Sequence, residues 1–167
     1  MARTLILMRH AKSSWEDHTV DHLRDLSDRG RSDARAAGAV LAERGLRPYV
    51  LTSPTRRTRA TWEEMAAAGA QHHGQRDLEV LYDHDTDVVL DELQALPAEA
   101  DTVLCLGHAP TTPQLVEALT EREQTAAWTG FDKGFPTAAM AVIEVDGEWS
   151  ELGDKPGRLV DFLVPRG

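Results

Sequence analysis

Apolar residues in this chain come in short blocks, and polar stretches with helical spacing follow most of them. Leu5 to Met8 is an unbroken apolar run, the pattern of a strand covered on both faces. From about Asp28 to Arg44 an Ala- and Arg-rich stretch reads as a helix, and Gly45 is its stop signal. Tyr49-Val50-Leu51 is a second short strand. Ser53-Pro54 then predicts a capping residue with Pro at the first helical position, and this helix runs through Arg57, Thr61 and Met65 toward Gly69. Leu78 to Tyr82 reads as a third strand. Val89, Leu93 and Leu96 recur at helical spacing until Pro97 ends the helix. Val103 to Leu106 is a fourth strand. Thr112-Pro113 repeats the cap-plus-Pro signal ahead of a helix that carries Leu115 and Leu119 on one face.

The last third changes character. Ala139 to Val145 and Glu148 to Leu152 flank Asp146-Gly147, a two-residue link that predicts a hairpin. Leu159 to Val164 reads as one more strand. No internal repeat, linker or low-complexity tract interrupts the pattern. Strands alternating with helices predict a layered α/β fold, with a mostly parallel sheet and at least one antiparallel strand near the C-terminal end. A chain of 167 residues organised this way is expected to form a single domain over 1–167.

Composition narrows the function. The net charge is −10, so a nucleic-acid or anionic-membrane partner is not expected, and any local group of Arg stands out. No apolar run approaches the length of a membrane span. The N-terminal run is too short for a signal-peptide core and is interrupted by Arg9, so a cytoplasmic protein is the expectation. The one cysteine, Cys105, lies inside a predicted strand and reads as a buried, inert thiol.

Three strand-to-helix junctions carry related chemistry. The first is Arg9-His10, followed by Ala11-Lys12-Ser13-Ser14-Trp15. The second is Ser53-Pro54-Thr55-Arg56-Arg57-Thr58-Arg59, where Arg residues coincide with a helix start that itself attracts anions. The third is Gly107-His108-Ala109-Pro110-Thr111. An imidazole serves as nucleophile or base near neutral pH, and a guanidinium clamps phosphate. Each junction alone has an ordinary explanation: a solvated loop, an exposed basic helix face, a turn with a structural His. In a parallel sheet all three meet at one edge, which is where ligands bind in such folds. Two His and at least two Arg then form a pocket suited to a phosphoryl group.

The same residues carry a resemblance. The chain is similar to the histidine phosphatase superfamily, and within it to the short SixA-type phosphohistidine phosphatases. Leu5-Ile6-Leu7-Met8-Arg9-His10-Ala11-Lys12-Ser13-Ser14-Trp15, Leu26-Ser27-Asp28-Arg29-Gly30, Ser53-Pro54-Thr55-Arg56-Arg57 with Thr61, Gly107-His108-Ala109-Pro110, Phe135-Pro136-Thr137 and Gly157-Arg158-Leu159-Val160-Asp161-Phe162 carry it across nearly the whole chain. The resemblance implies a phosphoglycerate mutase-like fold, three-layered α/β/α. It implies His10 as nucleophile, with Arg9, Arg57 and His108 on the phosphoryl oxygens. Arg57 fits the family pattern better than Arg56, because it stands four residues after Ser53 and four before Thr61. Ser13, Arg24 and Thr137 are the implied substrate-binding residues.

On that reading His10 attacks phosphorus in line and water then hydrolyses the phosphohistidine. The nucleophilic nitrogen needs a free lone pair, so the other ring nitrogen is expected to donate to a backbone carbonyl. Arg9, Arg57 and a protonated His108 stabilise the equatorial oxygens, so neither metal nor cofactor is expected. Some positions depart from the family. Glu16 stands where relatives carry Asn, and Leu23 and Asp25 replace the residues that flank Arg24. No acid for the leaving group matches clearly. Asp83 and Asp85 are the candidates, and an acidic helix start explains them equally well. A phosphohistidine leaves without strong acid help, so a phosphohistidine protein is the favoured substrate. A small phosphorylated metabolite, or phosphate recognition without turnover, are the alternatives. Trp15 and Trp128 are candidates for the pocket mouth, and His72-His73 reads as a solvated loop.

Overall fold

The computed structural model describes residues 2–15 and 20–167. The strands are β1 (Ala2–Arg9), β2 (Tyr49–Thr52), β3 (Gly74–Asp77), β4 (Thr102–Gly107), β5 (Met140–Asp146) and β6 (Arg158–Leu163). The helices are α1 (Asp28–Glu43), α2 (Arg56–Ala67), α3 (Val80–Asp83), α4 (Thr86–Gln94), α5 (Thr111–Leu119) and α6 (Ala126–Asp132). One sheet holds all six strands in the order β3-β2-β4-β1-β5-β6. The first four run parallel, and β5 is antiparallel to both β1 and β6.

Side chains alternate across the sheet and divide the core into two layers. Leu5, Leu7, Leu51, Val103, Cys105 and Ile143 pack under α4, α5 and α6. Ile6, Met8, Val50, Leu104, Leu106 and Met140 pack under α1 and α2. Both faces are therefore buried, which is why β1 and β4 read as continuous apolar runs rather than alternating ones. The result is the three-layer α/β/α arrangement.

α1 begins where Ser27 Oγ accepts a bond from the Gly30 amide at 3.0 Å. It ends as predicted at Gly45, whose φ of +66° lets the Leu46 amide reach back to the Leu41 carbonyl. α1 and α2 lie close because Gly38 faces the Met65 backbone. A Cβ at position 38 would stand 2.2 Å from the Met65 carbonyl oxygen. Gly38→Ala is expected to destabilise the fold by about 1–3 kcal/mol, since overpacking outweighs a helix-propensity gain of about 1 kcal/mol. Urea denaturation of the two proteins checks this, and an unchanged midpoint would contradict the packing.

Several local expectations are corrected. α2 is capped by Thr55, which accepts from the Thr58 amide, and not by Ser53, whose hydroxyl is taken by His108. Leu78 to Tyr82 is no strand. The third strand is the preceding polar segment, Gly74–Asp77, an exposed edge strand. Leu78 and Leu81 are buried three residues apart, at the start of the helical turn α3. α5 starts at Thr111, and Thr112 lies inside it, its hydroxyl donating to the His108 carbonyl at 2.8 Å. The Asp146-Gly147 turn leads into a 3₁₀ turn, Trp149–Glu151, rather than a hairpin strand. Trp149 is buried there and donates from Nε1 to the Ala100 carbonyl at 2.7 Å. Beside β5, opposite β1, lies β6 and not a strand over Glu148 to Leu152. α6 had no counterpart among the predicted elements.

Candidate active site

The C-terminal ends of β1, β2 and β4 lie side by side. The register pairs Arg9 with Gly107 and Thr52 with Leu106, so His10, Ser53 and His108 emerge at one level. They open onto a cavity of about 500 Å³ lined by residues of several chain segments. Arg9, His10, Arg57 and His108 all line it, as do Ser13, Arg24 and Thr137. Lys12, Trp15, Tyr82, Asp83 and Ala109 complete the wall.

His10 is buried, with 7 % of its surface exposed. Its Nδ1 lies 2.7 Å from the Ala11 carbonyl. A carbonyl only accepts, so Nδ1 carries the proton and Nε2 keeps its lone pair. Burial, helped by the nearby cations, pushes the His10 pKa down to about 3. The ring is neutral at neutral pH. The backbone beneath it is pinned on two sides. The His10 amide donates to the Gly107 carbonyl at 3.0 Å, and the Ala11 amide donates to Thr61 Oγ1, also at 3.0 Å. Thr61 in turn donates to the Arg57 carbonyl at 2.7 Å, so the β1 end and the first turn of α2 are tied together.

His108 sits with its ring centre 5.2 Å from that of His10. Arg57 Nη2, which only donates, is 3.5 Å from His108 Nδ1, and Ser53 Oγ is 2.8 Å from Nε2. The proton therefore belongs on Nε2, and Nδ1 is an acceptor. Burial and then Arg57 push the His108 pKa down to about 4. At neutral pH the His108 ring on its own is therefore neutral. A proton must arrive with a phosphoryl group, or be drawn in by it, before Nδ1 can donate.

Both imidazoles affect stability. The unfolded chain takes up a proton on each near pH 6.5, while the fold refuses them until about pH 4 and pH 3. Their stabilising contribution is complete above pH 6.5 and is lost as pH falls toward 4. Between pH 6.5 and 5 each adds a slope of up to about 1.4 kcal/mol per pH unit. His108→Gln is expected to halve that component in urea midpoints measured against pH, and an unchanged slope would contradict it.

The cations are arranged around the imidazoles. Arg9 Nη1 donates to the Phe135 carbonyl at 3.1 Å, and its buried Nε has no partner among the described residues. Arg57 is buried, whereas Arg56 points away to Asp25 and Glu63. Arg24 donates from Nη2 to Ser13 Oγ at 2.6 Å and stacks 3.4 Å over the Trp15 ring, which is 82 % exposed at the rim. Asp83 is in the wall, and Asp85 is not among the lining residues but precedes α4. Trp128 does not reach the mouth; it is buried against Phe131 and borders a different surface depression. Glu16 lies outside the described residues. Cys105 is buried beneath the sheet, and its thiol pKa is pushed up to about 12, as an inert thiol requires.

Two participants are not singled out in the sequence: Tyr82, which lines the cavity, and Asp21, which pairs with Arg57. Ser53, read there as a helix cap and spacing marker, instead fixes the tautomer of His108. Asp21 lies three residues before Arg24, a spacing that brings the two together in a helical turn, and this was the available signal.

The profile of the histidine phosphatase superfamily (branch 1) matches residues 5–81. An uncharacterised protein of Mycobacterium leprae is 35 % identical over 165 residues, covering 95 % of this chain and all of that one. A solved structure from Nakamurella multipartitia, described as a putative phosphohistidine phosphatase SixA, has a TM-score of 0.84 at 32 % identity, covering 99 % of this chain and 97 % of that one. The protein histidine phosphatase SixA complexed with tungstate has a TM-score of 0.79 at 25 % identity, covering 97 % of both chains.

Proposed function

This chain belongs to the histidine phosphatase superfamily, among its SixA-type members, and on that footing we propose that it is a phosphatase acting through a phosphohistidine on His10. The observation that carries this reading is the state of His10. It is a neutral imidazole whose Nδ1 proton is committed to the Ala11 carbonyl, so Nε2 is left free in a cavity walled by Arg9, Arg57 and His108.

Nε2 attacks phosphorus and the bond to the leaving group breaks in line with it. Arg9 and Arg57 hold the equatorial oxygens as their charge grows, and these guanidiniums supply the charge that a metal supplies elsewhere. One proton is shared between His108 Nδ1 and a phosphoryl oxygen. Ser13, Arg24 and Thr137 line the substrate's approach. In the second step water attacks phosphorus, the bond to Nε2 breaks, its lone pair returns, and orthophosphate leaves with the water's oxygen.

The favoured substrate is a phosphohistidine protein. Its leaving imidazole needs a single proton on the nitrogen released, and no strong acid. The protein histidine phosphatase SixA and its tungstate complex support this, since tungstate is a tetrahedral oxyanion like phosphate. One observation favours a second reading: Asp83 lies in the wall, where it can protonate the alkoxide of a small phosphate ester. Asp85, outside the wall, is the weaker candidate. Turnover of a phosphohistidine protein, an aryl phosphate and sugar phosphates, with wild type and Asp83→Asn, decides between them. We expect the first two to be hydrolysed and Asp83→Asn to change them less than about threefold. Faster turnover of a sugar phosphate, lost about a hundredfold in Asp83→Asn, establishes the metabolite reading instead. Phosphate binding without turnover of the aryl phosphate leaves only a recognition module.

A further inference from the structure

Asp21 is not among the residues that line the cavity, yet it accepts four hydrogen bonds from three residues that do. Arg57 Nη2 donates to its Oδ2 at 3.1 Å, and Arg57 Nη1 donates to its backbone carbonyl at 2.8 Å. Tyr82 Oη donates to the same Oδ2 at 2.7 Å. Arg24 Nη1 donates to Oδ1 at 3.2 Å. One carboxylate thus ties together three cavity-lining residues from three separate chain segments: the turn before α1, the start of α2, and α3.

The geometry around Arg57 distinguishes support from competition. Its Nη2 has Asp21 on one side and His108 Nδ1, 3.5 Å away, on the other. The hydrogen aimed at His108 is the one that a phosphoryl oxygen seated between the two residues receives. Nη2 carries two hydrogens, so Asp21 can take one while the other serves the His108 side. Asp21 also restrains a long side chain that otherwise loses rotamer freedom when substrate binds. Arg24 is held in the same way, with Ser13, Ser14 and the Trp15 ring as its other partners.

We propose that Asp21 is a positioning residue, which sets Arg57 and Arg24 in the orientation that receives the phosphoryl group. The proposal rests on the phosphatase reading above only for its kinetic consequence. Its binding consequence stands without turnover.

The test is a cycle of wild type, Asp21→Asn, Arg57→Ala and the double variant. Two quantities are read: the affinity for inorganic phosphate by calorimetry, and kcat/KM on an aryl phosphate. Asp21→Asn is expected to weaken phosphate binding about fivefold or more and to lower kcat/KM about 10–100-fold, the range for a lost orienting partner. In the Arg57→Ala background the same change is expected to cost clearly less than in wild type, because only the contact to Arg24 is left to lose. Equal or tighter phosphate binding by Asp21→Asn overturns the proposal and makes Asp21 a competitor for Arg57. Losses that multiply in the double variant also overturn it, since they show a general structural effect. Tyr82→Phe is the second variant. It keeps the carboxylate, removes one donor, and is expected to give a smaller loss in the same direction; a gain in phosphate affinity counts against the proposal. If wild type binds phosphate but turns over no ester, the phosphatase reading falls while the binding cycle still decides the role of Asp21.

Discussion

Replacing His10 with Ala is expected to lower turnover of an aryl phosphate by about four orders of magnitude or more, the scale seen when a catalytic nucleophile is deleted. The loss belongs in kcat rather than in binding. Arg9, Arg57 and His108 remain in the wall, so the affinity for inorganic phosphate should fall less than about tenfold. The fold should persist, because residue 10 is held by a backbone bond to the Gly107 carbonyl that Ala retains. Rapid quenching of wild type during turnover of a radiolabelled substrate supplies the direct evidence. The trapped label should be acid-labile and alkali-stable, as a phosphoramidate is. An acid-stable label, or activity retained by the Ala variant, would place the nucleophile elsewhere.

Arg57→Ala is the second large effect, about a thousandfold in kcat/KM, the range for removing one strong donor from a charge-stabilising site. Arg56→Ala serves as its control and should stay within about threefold, since Arg56 pairs with Asp25 and Glu63 outside the cavity. Arg57→Lys should recover little. A lysine is a single point charge and cannot serve Asp21 on one side and His108 on the other as a planar fork does. A larger loss from Arg56→Ala than from Arg57→Ala would reverse the assignment of the pair. The measurement is steady-state kinetics on folded protein, with thermal melts confirming that folding is intact.

The parts of the fold legible in sequence are those whose burial is total. β1 and β4 announce themselves as apolar runs because both faces of the sheet are covered. α1 was bounded correctly because its start and its Gly45 stop are local hydrogen-bond motifs. The errors have a different origin. β3 is an exposed edge strand of Gly, Gln, Arg and Asp, and nothing in such a sequence signals a strand. Ser53 and Thr55 are both good capping residues two positions apart. The choice between them is made by His108, far along the chain, which occupies the Ser53 hydroxyl. Asp146-Gly147 does turn the chain, but Trp149 and Leu152 are buried three apart and take a 3₁₀ path.

The candidate site follows the same division. His10, Arg57 and His108 were legible because each directly follows a predicted strand, or opens the helix after one. Asp21 and Tyr82 were not. Asp21 matters through its bonds to Arg57 and Tyr82, and Tyr82 through its bond to Asp21; no periodicity encodes a contact between residues 61 positions apart. The protonation of His108 was likewise a matter of burial rather than residue type.

The strand order has a consequence for how the site comes into being. β4 lies between β2 and β1, so the strand that follows residue 100 separates the strand that leads into the helix of Arg57 from the strand that ends beside His10. A growing chain that has released only its first half holds the nucleophile and its guanidinium with no wedge between them. It has no His108 and no floor beneath the cavity. The pocket is therefore complete only once β4 is in place. In refolding, phosphate binding should appear no earlier than amide protection in β4, and binding that precedes it would contradict this order.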